Sequence, residues 1–278
     1  MTAILWSLLG AAAYGVSDFI GAVASRKSSA WPVAFVSSVG GAVVAALVAI
    51  TLPGHPSTSH FVWAAFAGLG SGIGTAFLYR GLSTGRMGVV APISAVAAAA
   101  LPVIVSTIGG ERPPILAWAG IALALPGIWF VSQEEGSTFG GSGVVDGLIA
   151  GIGFGIGFVG LGHVPQSAGW WPLTIMNLTS AVAIVLIATA MRAKVFSHEP
   201  ATYFGLFGGA LAVLAMIGFV LATSHGLVSI AAVLVSLYPA VTIVLAVMLL
   251  HERVHRIQHL GFALCAGAVA LVAMSGRG

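Results

Sequence analysis

Long apolar stretches alternate along this chain with short clusters of Gly, Pro, Ser and charged residues, and the apolar stretches show no every-other-residue alternation. Crossing a hydrocarbon core of ~30 Å takes about 20 residues of helix. Stretches of that order fall at 3–24, 32–52, 61–80, 88–108, 115–133, 143–163, 172–191, 202–223, 228–249 and 257–275. Membrane strands would appear as short alternating segments, and lipid tolerates no unpaired backbone groups, so each stretch is predicted to be a helix. The predicted fold class is an all-α integral membrane protein with ten transmembrane helices.

The pattern is written twice. Gly85 and Gly226, Glu111 and Glu252, Arg112 and Arg253, Gly120 and Gly261, and Leu123 and Leu264 are each 141 positions apart. Phe66 and Gly68 return as Phe207 and Gly209, and Trp31-Pro32 returns as Trp171-Pro172 with the spacing slipped to 140. The chain therefore divides into repeats at 1–137 and 138–278, each with five spans. An odd number of spans makes the second repeat enter the membrane from the opposite side. Inverted repeats of this kind are a recurrent plan of secondary transporters, in which two halves rock about a site near the midplane.

Composition narrows the function further. Charged residues are 6% of the chain and mean hydropathy is +1.08, against about a quarter charged in soluble domains. The net charge of +3 comes from scattered single residues, which leaves no footprint for nucleic acid. No GxxxxGK[ST] loop is present to power a pump, and no HExxH, paired acids or Ser/His arrangement is buried in the spans. Neither an enzyme nor a cofactor is expected. Cys265 reads as a small packed hydrophobe.

Ile4 to Ala13 has no basic residues before it, and Arg26 and Lys27 follow the apolar stretch, so the first span reads as retained rather than cleaved. Eight of the ten basic residues lie at the odd-numbered loops, which by the positive-inside rule puts both termini outside. The short loops and the absence of a targeting extension fit a bacterial plasma (inner) membrane.

The residues Tyr14-Gly15-Val16-Ser17-Asp18-Phe19, Tyr79-Arg80-Gly81-Leu82, Gly85-Arg86-Met87, Ala91-Pro92, Glu111-Arg112 and Gly120 resemble the drug/metabolite transporter superfamily, EamA-type branch. Tyr238-Pro239, Glu252-Arg253 and Gly261 echo them in the second repeat. The resemblance covers essentially the whole chain. It implies an exporter-like carrier with a central cavity lined by spans 1 to 4 and 6 to 9, with spans 5 and 10 peripheral. It also implies cytoplasmic termini, against the charge count.

Asp18 is the sharpest signal, since an ionisable group well inside a span is costly unless paired or hydrated. Tyr14, Asp18 and Gly21 share one helical face. Asp18 suits a substrate amine or a coupling proton; capping its helix or pairing with Arg80 are the structural alternatives. Arg80 itself reads as an interfacial anchor. Ser71, Thr75 and Tyr79 form a polar stripe on a glycine-rich span and, with Ser17, Ser94, Phe154, Phe158, Asn177 and Tyr238, are the candidate cavity residues. The six glycines from Gly151 to Gly162 read as close helix packing. His163 and His225 are further candidates for proton coupling, or interfacial residues. Pro92, Pro102 and Pro239 mark kinks or hinges. The pairs Glu111-Arg112 and Glu252-Arg253, each able to neutralise itself, are candidate gate contacts or helix ends. His251, His255 and His259 have a helical ligand spacing, but Arg253 and Arg256 oppose a metal there.

These readings point to a secondary transporter, an exporter of small amphipathic metabolites such as amino acids, working by alternating access. The expected partners are the small-molecule substrate, the lipid bilayer and protons. An uncoupled facilitator and a lipid or cationic-drug translocator are the alternatives.

Overall fold

The computed structural model describes residues 1–83, 87–131, 142–250 and 255–275. The helices are α1 (Thr2–Lys27), α2 (Ala30–Thr51), α3 (Thr58–Ser83), α4 (Met87–Ile108), α5 (Ile115–Val131), α6 (Ser142–Gly162), α7 (Trp171–Ala190), α8 (Phe204–Thr223), α9 (Val228–Val235), α10 (Tyr238–Leu250) and α11 (Arg256–Ser275). No strand occurs among the described residues. Among the described residues, eight helical stretches are long and apolar enough to cross a membrane, and two shorter apolar helices, Ile93–Ile108 and Ile115–Val131, bring the total to ten. The fold is all-α, in two inverted five-span repeats. The expected boundary between 137 and 138 lies outside the described residues.

The prolines act differently from one another. Pro32 and Pro172 stand in the first turns of α2 and α7, where a missing N–H costs nothing. Pro239 follows a break at Ser236 and Leu237 that divides the ninth span into α9 and α10. By contrast α4 runs as one helix through Pro92 and Pro102.

Packing follows the repeat. Exchanging α1 with α6, α2 with α7, α3 with α8, α4 with α9 and α10, and α5 with α11 turns the contact between α3 and α6 into that between α1 and α8. The same exchange turns α3·α7 into α2·α8 and α4·α6 into the packing of α1 on α9 and α10. These extensive contacts all cross between repeats, so neither repeat encloses a core alone. The repeated glycines show the two-fold directly. A Cβ on Gly120 would lie 2.7 Å from Val272 Cγ2, and one on Gly261 would lie 2.7 Å from Val131 Cα. Both contacts join α5 to α11, peripheral to the rest, and Val131 and Val272 are themselves 141 apart.

Glycine also sets the separation of α3 from α6. A Cβ on Gly70 would sit 2.7 Å from Gly153 O, and one on Gly153 would sit 2.6 Å from Gly70 O. Backbone meets backbone there, the small-residue packing that membrane helices use where lipid removes any hydrophobic drive between them.

The spans alternate, which places Met1, the turns at 52–57, 109–114 and 163–170, and Gly226 on one face, here the terminal face. His55 N–H donates to Ser167 O at 3.0 Å, and the Cβ site of Gly226 lies 3.0 Å from Ala3 Cβ. On the opposite face the Ser28 and Thr202 hydroxyls share a hydrogen bond of 2.8 Å.

Candidate functional site

A cavity lies between the repeats. Its walls come from α1 (Tyr14, Ser17, Asp18), α2 (Ser37, Ser38), α3 (Ser71, Thr75, Tyr79), α6, α7, α8 and the first residue of α10, Tyr238. The space between its side chains measures about 790 Å³ including the mouth. About 60 Å³ of that admits the centres of water molecules, room for roughly four waters. A solute of a few heavy atoms fits that space.

Helical spacing puts Tyr14 and Asp18 one turn apart on α1, and glycine lets α3 approach. A Cβ on Gly21 would lie 2.7 Å from Tyr79 Cε1, so the Tyr79 ring lies across α1 where a larger residue would stand. The Tyr79 hydroxyl lies beside Ser17 and Ser37, and Tyr14, Tyr79 and Tyr238 all stand within electrostatic reach of Asp18. Tyr14 meets Phe158 edge-on at 6.3 Å and Tyr238 at 6.2 Å, and Phe158 packs on Phe219 at 4.9 Å. Among the described residues, no Lys, Arg or His lines the cavity.

Hydrogen bonds between repeats hold the polar wall. Ser17 Oγ donates to Gly208 O at 2.8 Å, and the Ser38 and Ser180 hydroxyls are 3.0 Å apart. Asn177 Nδ2 donates to Leu173 O at 2.9 Å, a bond within its own helix, and contacts Met216 Sδ at 3.8 Å. Carboxylate, π faces and hydroxyls thus face one small space. Ala212 also faces it, so Ala212→Phe is expected to fill the space and abolish transport while leaving the thermal midpoint near wild type. Parallel flux and unfolding assays check this.

Two segments of the chain, residues 1–133 and 141–274, match the model of the EamA-like transporter family. The chain belongs to the EamA-like transporter family. It is thus a transporter of the drug/metabolite transporter superfamily, set in the membrane. Among curated proteins no sequence relative matches. A solved crystal structure superposes with a TM-score of 0.73 at 16% identity, covering 99% of this chain and 97% of that one. At that identity the likeness shows the fold alone.

In this EamA-like transporter, Tyr14, Ser17, Asp18, Ser71, Thr75, Tyr79, Phe154, Phe158, Asn177 and Tyr238 all line the cavity. Ser94 does not. It is buried on α4, none of whose described side chains lines the cavity, and its Oγ faces the Tyr238 hydroxyl without hydrogen-bond geometry. His163 and His225 are exposed at helix ends on the terminal face, away from Asp18. Each sets its Nδ1 2.8 Å from a carbonyl of its own helix, Val159 and Leu221 respectively, and the His163 ring stacks on Trp63 at 3.9 Å. Glu252, Arg253 and His251 lie outside the described residues.

Two pairings differ from the sequence reading. Arg80 does not pair with Asp18; its guanidinium grips Asp146, near the start of α6, with Nε 3.4 Å from Oδ2. Asp146 is only 3% exposed, so its charge depends on that partner. Glu111 does not neutralise Arg112. Its Oε1 accepts from Val228 N–H at 2.7 Å, and its Oε2 accepts from Ser229 N–H at 3.1 Å and Ser229 Oγ at 2.6 Å. A carboxylate at the N-terminus of α9 satisfies free N–H groups and complements the helix dipole, whereas a neighbouring guanidinium would satisfy neither. Arg112 turns instead to the carbonyls of Thr107 at 3.1 Å and Glu111 at 3.0 Å.

Ser37, Ser38 and Ser180 are the polar lining residues that the sequence reading missed. A signal existed for Ser37: at the spacing of 140 set by Trp31 and Trp171 it is the repeat mate of Asn177.

Proposed function

We propose that this chain is a secondary transporter that carries small amphipathic solutes bearing an amine, amino acids among them, by alternating access between the inverted repeats. The observation that carries this reading is the cavity itself: among the described lining residues, one carboxylate, Asp18, stands with three tyrosines and no basic side chain. An ammonium group gains a charge-assisted contact with Asp18 and a cation–π contact with the rings. Asn177 and the hydroxyls of Ser38, Ser71 and Ser180 offer neutral hydrogen-bonding groups for the rest of the solute. A phosphate or other polyanion would meet the Asp18 charge with no cation among the described lining residues to offset it.

Asp18 is proposed to exchange the amine for a proton, which would couple outward movement of cargo to a proton gradient across a bacterial plasma membrane. The units 1–137 and 138–278 are proposed as the rocking halves. The aromatic lining also favours a second cargo class, hydrophobic organic cations, over lipid.

A ligand panel with the purified protein tests the chemistry. Amine-bearing solutes are expected to raise the thermal midpoint in proportion to the logarithm of concentration, as binding to the folded state requires, while dicarboxylates and sugar phosphates leave it unchanged. Stabilisation by anionic solutes alone would overturn the reading.

A further inference from the structure

Among the described residues, each face of the bundle carries a charged contact that joins the two repeats, and these two contacts differ in chemistry. On the face opposite the termini Arg80 of α3 holds Asp146 of α6. On the terminal face Glu111, after α4, holds the first N–H groups of α9 and the Ser229 hydroxyl. The repeat does not duplicate either in full. At the spacing of 141, Leu221 and Leu5 stand where the mates of Arg80 and Asp146 would be. The mate of Ser229 is Gly88, which has no hydroxyl.

Both contacts lead into the cavity. Arg80 is the residue after Tyr79, and its guanidinium also lies 4.4 Å over the Phe77 ring and 3.3 Å from Met191 Sδ. Glu111 grips one end of α9, a rod of eight residues, about 12 Å long at the helical rise. The other end of that rod is the break at Ser236 and Leu237, directly before Tyr238. A shift of either tyrosine around cargo therefore pulls on the contact at one face. In the reverse direction, release of either contact frees one cavity tyrosine.

We propose that Arg80–Asp146 and Glu111–α9 are the two opposing latches of the transport cycle. Arg80–Asp146 closes the face opposite the termini, Glu111 closes the terminal face, and one must yield while the other holds. Arg80, Asp146 and Glu111 are thus positioning residues for transport, acting through Tyr79 and Tyr238. This assignment rests on the alternating-access reading above.

Sided labelling tests it. Cys265, the chain's one cysteine, is buried against α5 and is replaced by Ala. A single reporter is then placed in the cavity as Ala212→Cys, and an impermeant thiol reagent is applied from each face of sealed vesicles. Asp146→Asn is expected to raise labelling from the face opposite the termini by about fivefold or more, and Glu111→Gln to raise it from the terminal face by a similar factor. Ser229→Ala should fall between Glu111→Gln and the parent. The exchanged pair Arg80→Asp with Asp146→Arg should return the parental pattern, which separates a lost latch from a damaged fold.

Shifts toward the same face in both variants, or equal losses at both faces, would overturn the assignment. So would parental labelling in both. A parent whose reporter is reached from only one face, with or without amine solutes, would instead contradict alternating access itself.

Discussion

Asp18→Asn is expected to cut apparent affinity for amine-bearing cargo by roughly 10- to 100-fold, the effect of removing a charge-assisted contact of about 1.5–3 kcal/mol. The substitution keeps the size of the side chain and one acceptor oxygen. It removes the carboxylate that faces Tyr14, Tyr79 and Tyr238 in a cavity whose described lining holds no other acidic or basic side chain. Because Arg80 is engaged by Asp146, loss of the Asp18 charge strands no buried cation, and the fold should survive. The thermal midpoint of the Asn variant should stay close to wild type. Its transport rate should also lose any response to a proton gradient, since Asn cannot carry the proton. Initial rates over a range of solute concentrations at two pH values, with unfolding curves alongside, check all three outcomes. Unchanged affinity and unchanged pH response would remove Asp18 from the cycle.

Gly153→Leu should have the largest effect on the fold. Its new Cβ would meet Gly70 O at 2.6 Å, Gly74 N at 2.7 Å and Gly74 Cα at 3.0 Å, all of them backbone atoms. No rotamer change relieves such a contact, so α3 and α6 must separate along a seam that carries Ser71, Thr75, Phe154 and Phe158 into the cavity. Overpacking of this kind costs about 3 kcal/mol or more, a drop of the order of 10 °C in the thermal midpoint. Ile152→Leu, one residue away on a face that is 51% exposed, is the control and should change nothing measurable. The comparison is made on detergent-solubilised protein by unfolding and by size-exclusion profile.

The span count was legible because lipid imposes a length and a polarity on every crossing segment, and the inversion followed from five spans per repeat. The break in the ninth span was less so. Ser236-Leu237-Tyr238-Pro239 lies in a long apolar run, where Pro239 signals a kink but not that two non-helical residues separate α9 from α10. Of the cavity residues, those with an evident cost in lipid, such as Asp18 and Asn177, stood out. Ser37, Ser38 and Ser180 did not, because serine in a membrane helix often bonds only its own backbone, as Ser7 does with Ala3 O at 2.8 Å. The partners of Arg80 and Glu111 were hidden for another reason. Asp146 is 66 positions from Arg80, and Ser229 is 118 from Glu111. Such pairs depend on which helices of opposite repeats become neighbours, and hydropathy does not encode that.

Solute counterflow tests the central claim most directly. Proteoliposomes containing the wild-type chain are loaded with an unlabelled amine-bearing solute and diluted into a trace of the labelled one. A carrier whose cavity between the repeats faces each side in turn should concentrate the label transiently above its equilibrium level, with saturable dependence on the internal solute. Flux that is linear in concentration and shows no overshoot across a panel of amino acids and organic cations would contradict the account.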